Sequence, residues 1–304
     1  MKFISKKISF LLVLITIFFS CKNDEPPPFV NEVTPQQIIE LPTILNEISG
    51  IIFRNDTSLF AHNDGGQGAR IYEVNLDENK VNRTIKIYNV SNIDWEDITQ
   101  DEDYIYISDS GNNLGQRTDL KIYKISKNEL ETLDSVAAEI IEFEYPDQSN
   151  FSQTEIHNFD CEAIISFKNQ LFLFSKNHLD LKTKWYSIPK NAGSYTADLL
   201  QEFESDGLIT GATINENKNV IALLGYHKIE INQVDFFDPF IWILYDFHND
   251  QIFDGKILRL EIDIKTQMES ICFGKNEDIY FSHESETGGL PQFIYKADLE
   301  PFLK

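Results

Sequence analysis

Glutamate recurs at one place in a repeated short opening: Asn46-Glu47-Ile48-Ser49-Gly50-Ile51, Trp95-Glu96-Asp97-Ile98, Cys161-Glu162-Ala163-Ile164 and Met268-Glu269-Ser270-Ile271. A fifth opening, Thr210-Gly211-Ala212-Thr213-Ile214, carries Gly211 in its place. Carboxylates brought together either raise one another's pKa or take up a cation. Calcium suits such a set, because it accepts roughly six to eight oxygens in flexible geometry. The expected ligands are Glu47, Glu96, Glu162 and Glu269, with Asp64 and Asp109 close by. The competing reading is structural: each glutamate caps backbone or fixes a contact, and it repeats because its unit repeats.

Histidine gives a second pattern. Four of the six histidines, His62, His178, His227 and His283, fall at the ends of apolar runs. With Asn63, Asn112, Asn113, Lys176 and Glu284 they would line a mixed acid–base pocket at a channel mouth. Polar residues that merely end strands would give the same spacing. Zinc is not supported, since no HxH or HExxH spacing supplies a tetrahedral set. The sequence also has no Gly-x-Ser-x-Gly, P-loop or CxxC pattern. Asp77-Glu78-Asn79-Lys80 reads as a hairpin turn, without the ligand order of an EF-hand loop.

Each opening must be positioned by the strands after it. A second apolar strand comes next, as in Ser58-Leu59-Phe60-Ala61-His62 and Tyr104-Ile105-Tyr106-Ile107-Ser108. A third carries an aromatic, as at Tyr72, Tyr123, Tyr186, Trp242 and Tyr295. The runs are β-branched and aromatic, and Gly, Asn and Asp bound them. Openings recur roughly every 50 to 65 residues, the size of a four-stranded propeller blade. The fold class expected is all-β, a propeller of five four-stranded blades. The last unit lacks a fourth strand, and residues 37–41 are left over before the first. Pairing them with residues 293–295 closes the ring and hides two sheet edges. A six-bladed ring is the alternative, because residues 149–159 have no assigned place.

Asp94-Trp95-Glu96-Asp97-Ile98, followed by Ser108-Asp109-Ser110-Gly111-Asn112-Asn113 and Arg117, resembles the DWED…DxGNN…R signature of uncharacterised Bacteroidetes propeller lipoproteins. Glu47-x-Ser49-Gly50 and His62-Asn63-Asp64-Gly65-Gly66 belong to the same pattern, so the resemblance covers residues 40–125. More distantly, the glutamate-opened strands are similar to gluconolactonase-type and phytase-like propellers. That similarity implies a channel glutamate that helps to bind calcium. Fold likeness alone does not give chemistry.

The compartment is read from the first residues. Lys2, Lys6 and Lys7 precede an apolar run over 9–19, too short to span a bilayer but suited to a signal peptide. Phe18-Phe19-Ser20-Cys21 resembles a bacterial lipobox, which makes Cys21 the lipidated residue. The Lys-Asn-Asp-Glu-Pro-Pro-Pro segment after it resembles the acidic export signal of surface-exposed Bacteroidetes lipoproteins. The expected organisation is a signal peptide over 1–20, a lipidated tether over 21–34 and a propeller over 35–304. The protein would then sit on the outer membrane, at the cell surface or facing the periplasm. A net charge of −23 repels nucleic acid and anionic lipid and attracts cations. Cys161 and Cys272 lie in apolar runs of different units, so two buried thiols are expected, not a disulfide. Two functions fit: a module that binds an outer-membrane protein or small ligand, or a calcium-dependent hydrolase of a lactone or phosphate ester. Acyl chains would supply the only strong membrane affinity. Cys21→Ala is therefore expected to move the protein to the aqueous phase on detergent partition; unchanged partition would overturn the lipid anchor.

Overall fold

A computed structural model of the chain describes residues 31–232, 234–274, 278–284 and 291–303. The expected signal peptide, Cys21 and most of the tether lie outside these residues. Five antiparallel sheets succeed one another along the chain. Their inner strands are Ile48–Asn55, Trp95–Gln100, Cys161–Phe167, Leu208–Asn215 and Met268–Phe273, and they neighbour one another in a closed ring. The architecture is a five-bladed propeller. Residues 149–159 form a loop on blade 2, tied by Thr154 N to Leu114 O at 3.0 Å, and so do not start a sixth blade.

The core is divided as the ring demands. There are five apolar clusters, each shared by two adjacent blades. Trp95, for instance, packs with Ile52 and Phe60 between blades 1 and 2, and Cys272 packs with Leu59 and Ile294 between blades 5 and 1. The first three strands of each blade, buried on both faces, read as near-continuous apolar runs, whereas outer strands such as Lys80–Ile87 and Glu139–Glu144 alternate buried and exposed residues. Cys161 and Cys272 are both buried free thiols.

Closure comes from the N-terminal segment. Gln36–Glu40 pairs antiparallel with Phe293–Asp298, setting Gln37 opposite Tyr295 and Glu40 opposite Phe293. Just before it, Glu32–Val33 lies parallel to Lys256–Ile262, the outer strand of blade 4. This is one case of a general device. Ser135–Val136, which leads into the outer strand of blade 2, runs parallel to the outer strand of blade 1. Gly193–Thr196, which leads into the outer strand of blade 3, does the same on blade 2. Each strap covers an edge that would otherwise offer unpaired backbone groups. Blade 5 receives none from blade 1, whose connection at residues 76–79 is a tight turn; its edge strand is instead broken by a bulge between Gln37 and Ile39.

Deleting residues 31–41 strips an outer strand from one blade and a strap from another. It also removes the buried Val33, Ile39 and Leu41. At about 2 kcal/mol per buried side chain, the loss is about 6 kcal/mol, within the range of a whole domain's stability. The truncated protein is expected to aggregate or to lose its cooperative melt. A melt equal to the parent's would mean that the ring does not depend on this closure.

Candidate functional site

All five inner strands carry one residue too many at the same level. The register slips between Ile48 and Gly50, Trp95 and Ile98, Cys161 and Ala163, Ile209 and Gly211, and Met268 and Ser270. A bulge turns its extra residue out of the ladder and re-aims the side chain. The residues at this level are Ser49, Glu96, Glu162, Thr210 and Glu269. This corrects the sequence alignment at two points. Glu47 lies outside its strand, two residues ahead of Ser49, and the member from blade 4 is Thr210, not Gly211. Ser49 and Thr210 use their hydroxyls to bond the next blade, at Glu96 O and at Met268 O (2.7 Å).

Two residues ahead of each bulge stands a second tier: Glu47, Asp94, Asp160, Leu208 and Gln267. Backbone N–H groups just beyond the second strands of four blades hold it, from Asp64 to Glu47 O, Gly111 to Asp94 O, Lys176 to Asp160 O and Glu284 to Gln267 O. The Asp-x-Glu spacing shared by Asp94/Glu96 and Asp160/Glu162 was the available signal for Asp94 and Asp160, which are absent from the ligand set expected on sequence. The tiers bring Asp64, Asp94 and Glu96 together, with one oxygen from each lying within 4.8 Å of the others. A side chain on Gly111 would collide with Glu96 Oε1 and Asp94, so only glycine permits this approach.

The electrostatics follow from crowding. Burial, then Glu162, Asp64 and Asp94, hold the Glu96 carboxyl well above the ordinary carboxylate range. Burial and Asp64 push Asp94 to about 7. Burial and Glu269 push Glu284 to about 8, and burial pushes Glu269 to about 6. Lys176, whose ammonium reaches into these tiers, is already paired with Glu162 at 2.6 Å. Asp160 is fully buried: its Oδ1 accepts Asn112 N at 2.6 Å, while Oδ2 accepts no hydrogen bond and has His178 Nε2 at 3.9 Å. Below the tiers, Asp97 spans the channel, accepting from its neighbour Ile98 N (2.8 Å), from Ile164 N on blade 3 (2.8 Å) and from Ala212 N on blade 4 (3.2 Å).

The remaining expected residues do other work. Both oxygens of Asp109 are engaged, by Arg117 (3.1 Å), Asp94 N (3.1 Å) and Tyr123 Oη (2.7 Å), so it braces the motif and is not free to ligate. Asn112 Nδ2 donates to Phe159 O, and Asn113 O meets His157 Nε2, which fastens the 149–159 loop. Asn63 Nδ2 donates to Ile44 O. His62 is wholly buried, edge-on to Trp95 and packed on Gly50, and burial pushes its pKa down to about 4. His227 faces Asp206 at 3.4 Å, and His283 Nδ1 meets Glu284 O at 2.7 Å. Of the four expected histidines, only His178 lies beside the carboxylates and partly open, with burial and then Lys176 lowering its pKa.

No protein-family model and no curated protein matches the sequence. Among solved structures, β-propellers are similar to it. The PQQ-bound aldose sugar dehydrogenase of Streptomyces coelicolor is 11% identical over 90% of this chain and 99% of that one, with a TM-score of 0.45. The Cps50 β-propeller domain of Myceliophteria thermophila is 8% identical over 86% and 99%, with a TM-score of 0.43. A member of the DUF4221 family from Bacteroides vulgatus is 9% identical over 88% and 98%, with a TM-score of 0.41.

Raised carboxyl groups make stability depend on pH with a definite sign. Between the unfolded carboxylate range near 4 and about 8, the folded protein keeps protons on Asp94, Glu269 and Glu284 that the unfolded chain releases. Stability conferred by protonation is complete below about 4 and is lost as pH rises. In chelator, the melting temperature is expected to fall steadily from pH 5 to pH 8, and Asp94→Asn with Glu284→Gln should flatten that slope. A flat parent profile would show that these carboxyls are not crowded.

Proposed function

We propose that the protein is a lipoprotein of the outer membrane, tethered through Cys21, whose propeller binds a small ligand or partner protein at a calcium ion in the carboxylate mouth. The observation that carries the metal is the meeting of Asp64, Asp94 and Glu96 beside Asp160, whose buried Oδ2 lacks a donor. An all-oxygen, carboxylate-rich set fits calcium and not zinc. Lys176 neutralises Glu162, and of the two remaining carboxyls only Asp94 feels a nearby cation, Arg117, which does not offset its burial. A bound ion with open coordination positions would receive an oxygen-bearing ligand from solvent. The resemblance to calcium-binding propellers and to the DWED-type lipoproteins points the same way.

A hydrolytic role has one specific observation in its favour. His178 stands at the rim of the same cluster, and burial and Lys176 bias it toward the neutral imidazole that a general base requires. It would act on a lactone or phosphate ester held at the ion.

Calcium at a hundred times its dissociation constant adds about 2.7 kcal/mol to stability when it binds only the folded state. The parent is therefore expected to melt higher in calcium than in chelator at pH 7.5. Asp94→Asn with Glu96→Gln should abolish the difference while keeping or raising the metal-free melting temperature. A parent that ignores both calcium and chelator would end the metal reading. His178→Asn separates the two roles: loss of esterase or lactonase activity with calcium binding intact favours hydrolysis, and absence of such activity in the calcium-loaded parent favours binding.

A further inference from the structure

Blade 4 departs from the others in one respect. Its second and third strands, Val220–Ile231 and Val234–Tyr245, are each 12 residues long, whereas the first-strand partner Leu208–Asn215 has 8. Leu208, at the start of the inner strand, pairs with Tyr226. Pairing of the two long strands continues beyond that point through His227↔Asp238, Lys228↔Phe237, Ile229↔Phe236, Glu230↔Asp235 and Ile231↔Val234. The hairpin therefore outruns its blade by about 17 Å, at about 3.4 Å per residue. It rises from the end of the ring that carries the carboxylates.

Its two faces differ. Residues opposite one another across a ladder share a face, as do alternate residues along a strand. Ile229, Ile231, Val234 and Phe236 thus form one patch, and they are 46%, 53%, 53% and 50% exposed. The other face carries Lys228, Glu230 and Asp235, with Lys228 paired to Asp235 at 2.9 Å, and continues down through Phe237 to Tyr226, against whose ring Phe237 packs edge-on and which lies 5.7 Å from Lys176. The Tyr226 side lies toward the mouth, and the face of Ile229, Ile231, Val234 and Phe236 stands about half open to solvent above His227, which contacts Asp206. These four half-exposed side chains form one contiguous apolar patch on a projecting face, the kind of feature that marks interaction sites.

The chain indicates what covers it. The described residues start at Asn31, whose carbonyl accepts Glu261 N at 2.9 Å on the outer strand of the same blade. From Cys21 to Asn31 the backbone can span about 35 Å at most. An anchor at Cys21 would hold blade 4 within that distance of the bilayer, and no other blade is reached so directly. We propose that the hairpin is a membrane-docking element: its Ile229–Ile231–Val234–Phe236 face enters the headgroup–acyl boundary of a zwitterionic bilayer and turns the carboxylate mouth toward the membrane surface. The net charge of −23 makes a neutral lipid surface the acceptable one. The reach argument rests on the Cys21 anchor; insertion of the hairpin is tested without it.

Residues 22–304, which contain the whole closed ring, are held on phosphatidylcholine vesicles by an N-terminal histidine tag bound to nickel-chelating lipid. Phe236→Trp places a fluorophore on the patch, and the three native tryptophans supply the background. In vesicles with brominated acyl chains, the added fluorescence is expected to fall at least twofold relative to unbrominated vesicles. Ile231→Asp with Val234→Asp in the same protein should restore it, without changing the calcium response of the melt. Equal fluorescence in both vesicles would overturn the proposal. So would a concentration-dependent dimer, formed without lipid, that shields the added tryptophan, because a second copy would then be the occupant. Failure of Cys21 acylation would appear separately, in detergent partition of the full chain.

Discussion

The extra residue in each inner strand is the constraint on which the rest of the site depends. A regular ladder would send alternate side chains into the two neighbouring blades, where everything is apolar. By slipping register once, at one level, every blade turns a side chain toward the axis. That single displacement lets glutamate occur in strands that are otherwise buried. Asp97 makes the arrangement rigid, because one carboxylate accepts backbone N–H groups from blades 3 and 4 while sitting on blade 2. Sideways movement of any of these three inner strands would leave a buried carboxyl without its donors, which costs more than losing an ordinary exposed hydrogen bond.

Charge at the mouth is unevenly shared. Lys176 balances the blade 3 side, bonding Glu162 and lying near Tyr226. Among the described residues nothing comparable stands between blades 1 and 2, where Asp64, Asp94 and Glu96 converge. Burial and mutual repulsion hold the Asp94 and Glu96 carboxyls at that corner above the ordinary range, so the proposed cation would have to displace protons from it. Leu208 and Thr210 leave blade 4 as the one blade that adds no carboxylate to the two tiers.

Much of this fold was legible in the sequence. Five apolar openings at blade-sized intervals, each with an aromatic third strand, left little choice of architecture, and the leftover residues 37–41 pointed to their partner. The straps were not legible, since Ser135–Val136 and Glu32–Val33 are two-residue pairings with no pattern of their own. Glu96, Glu162 and Glu269 could be placed because they begin strands. Glu47 belongs to the neighbouring tier, a distinction invisible in sequence because a bulge leaves no mark in hydrophobic periodicity. Asp109 looks like a ligand on type and spacing alone; only the positions of Arg117 and Tyr123 show it to be fully engaged. The long hairpin is equally well hidden, as Ile229, Ile231, Val234 and Phe236 read like ordinary strand residues until the length of the blade is known.

The straps also decide how the ring responds to force. A pull on the chain ahead of Asn31 loads Glu32–Val33 first, and this strand lies parallel to Lys256–Ile262 at the edge of blade 4. The strain then passes to Gln36–Glu40, which runs antiparallel to Phe293–Asp298 in blade 5. Tension at the N-terminus thus meets two blades in turn: peeling Glu32–Val33 uncovers the edge of blade 4, and peeling Gln36–Glu40 opens the ring at blade 5. The line that joins the first described strands to the last is the one that anything tugging on the tether reaches.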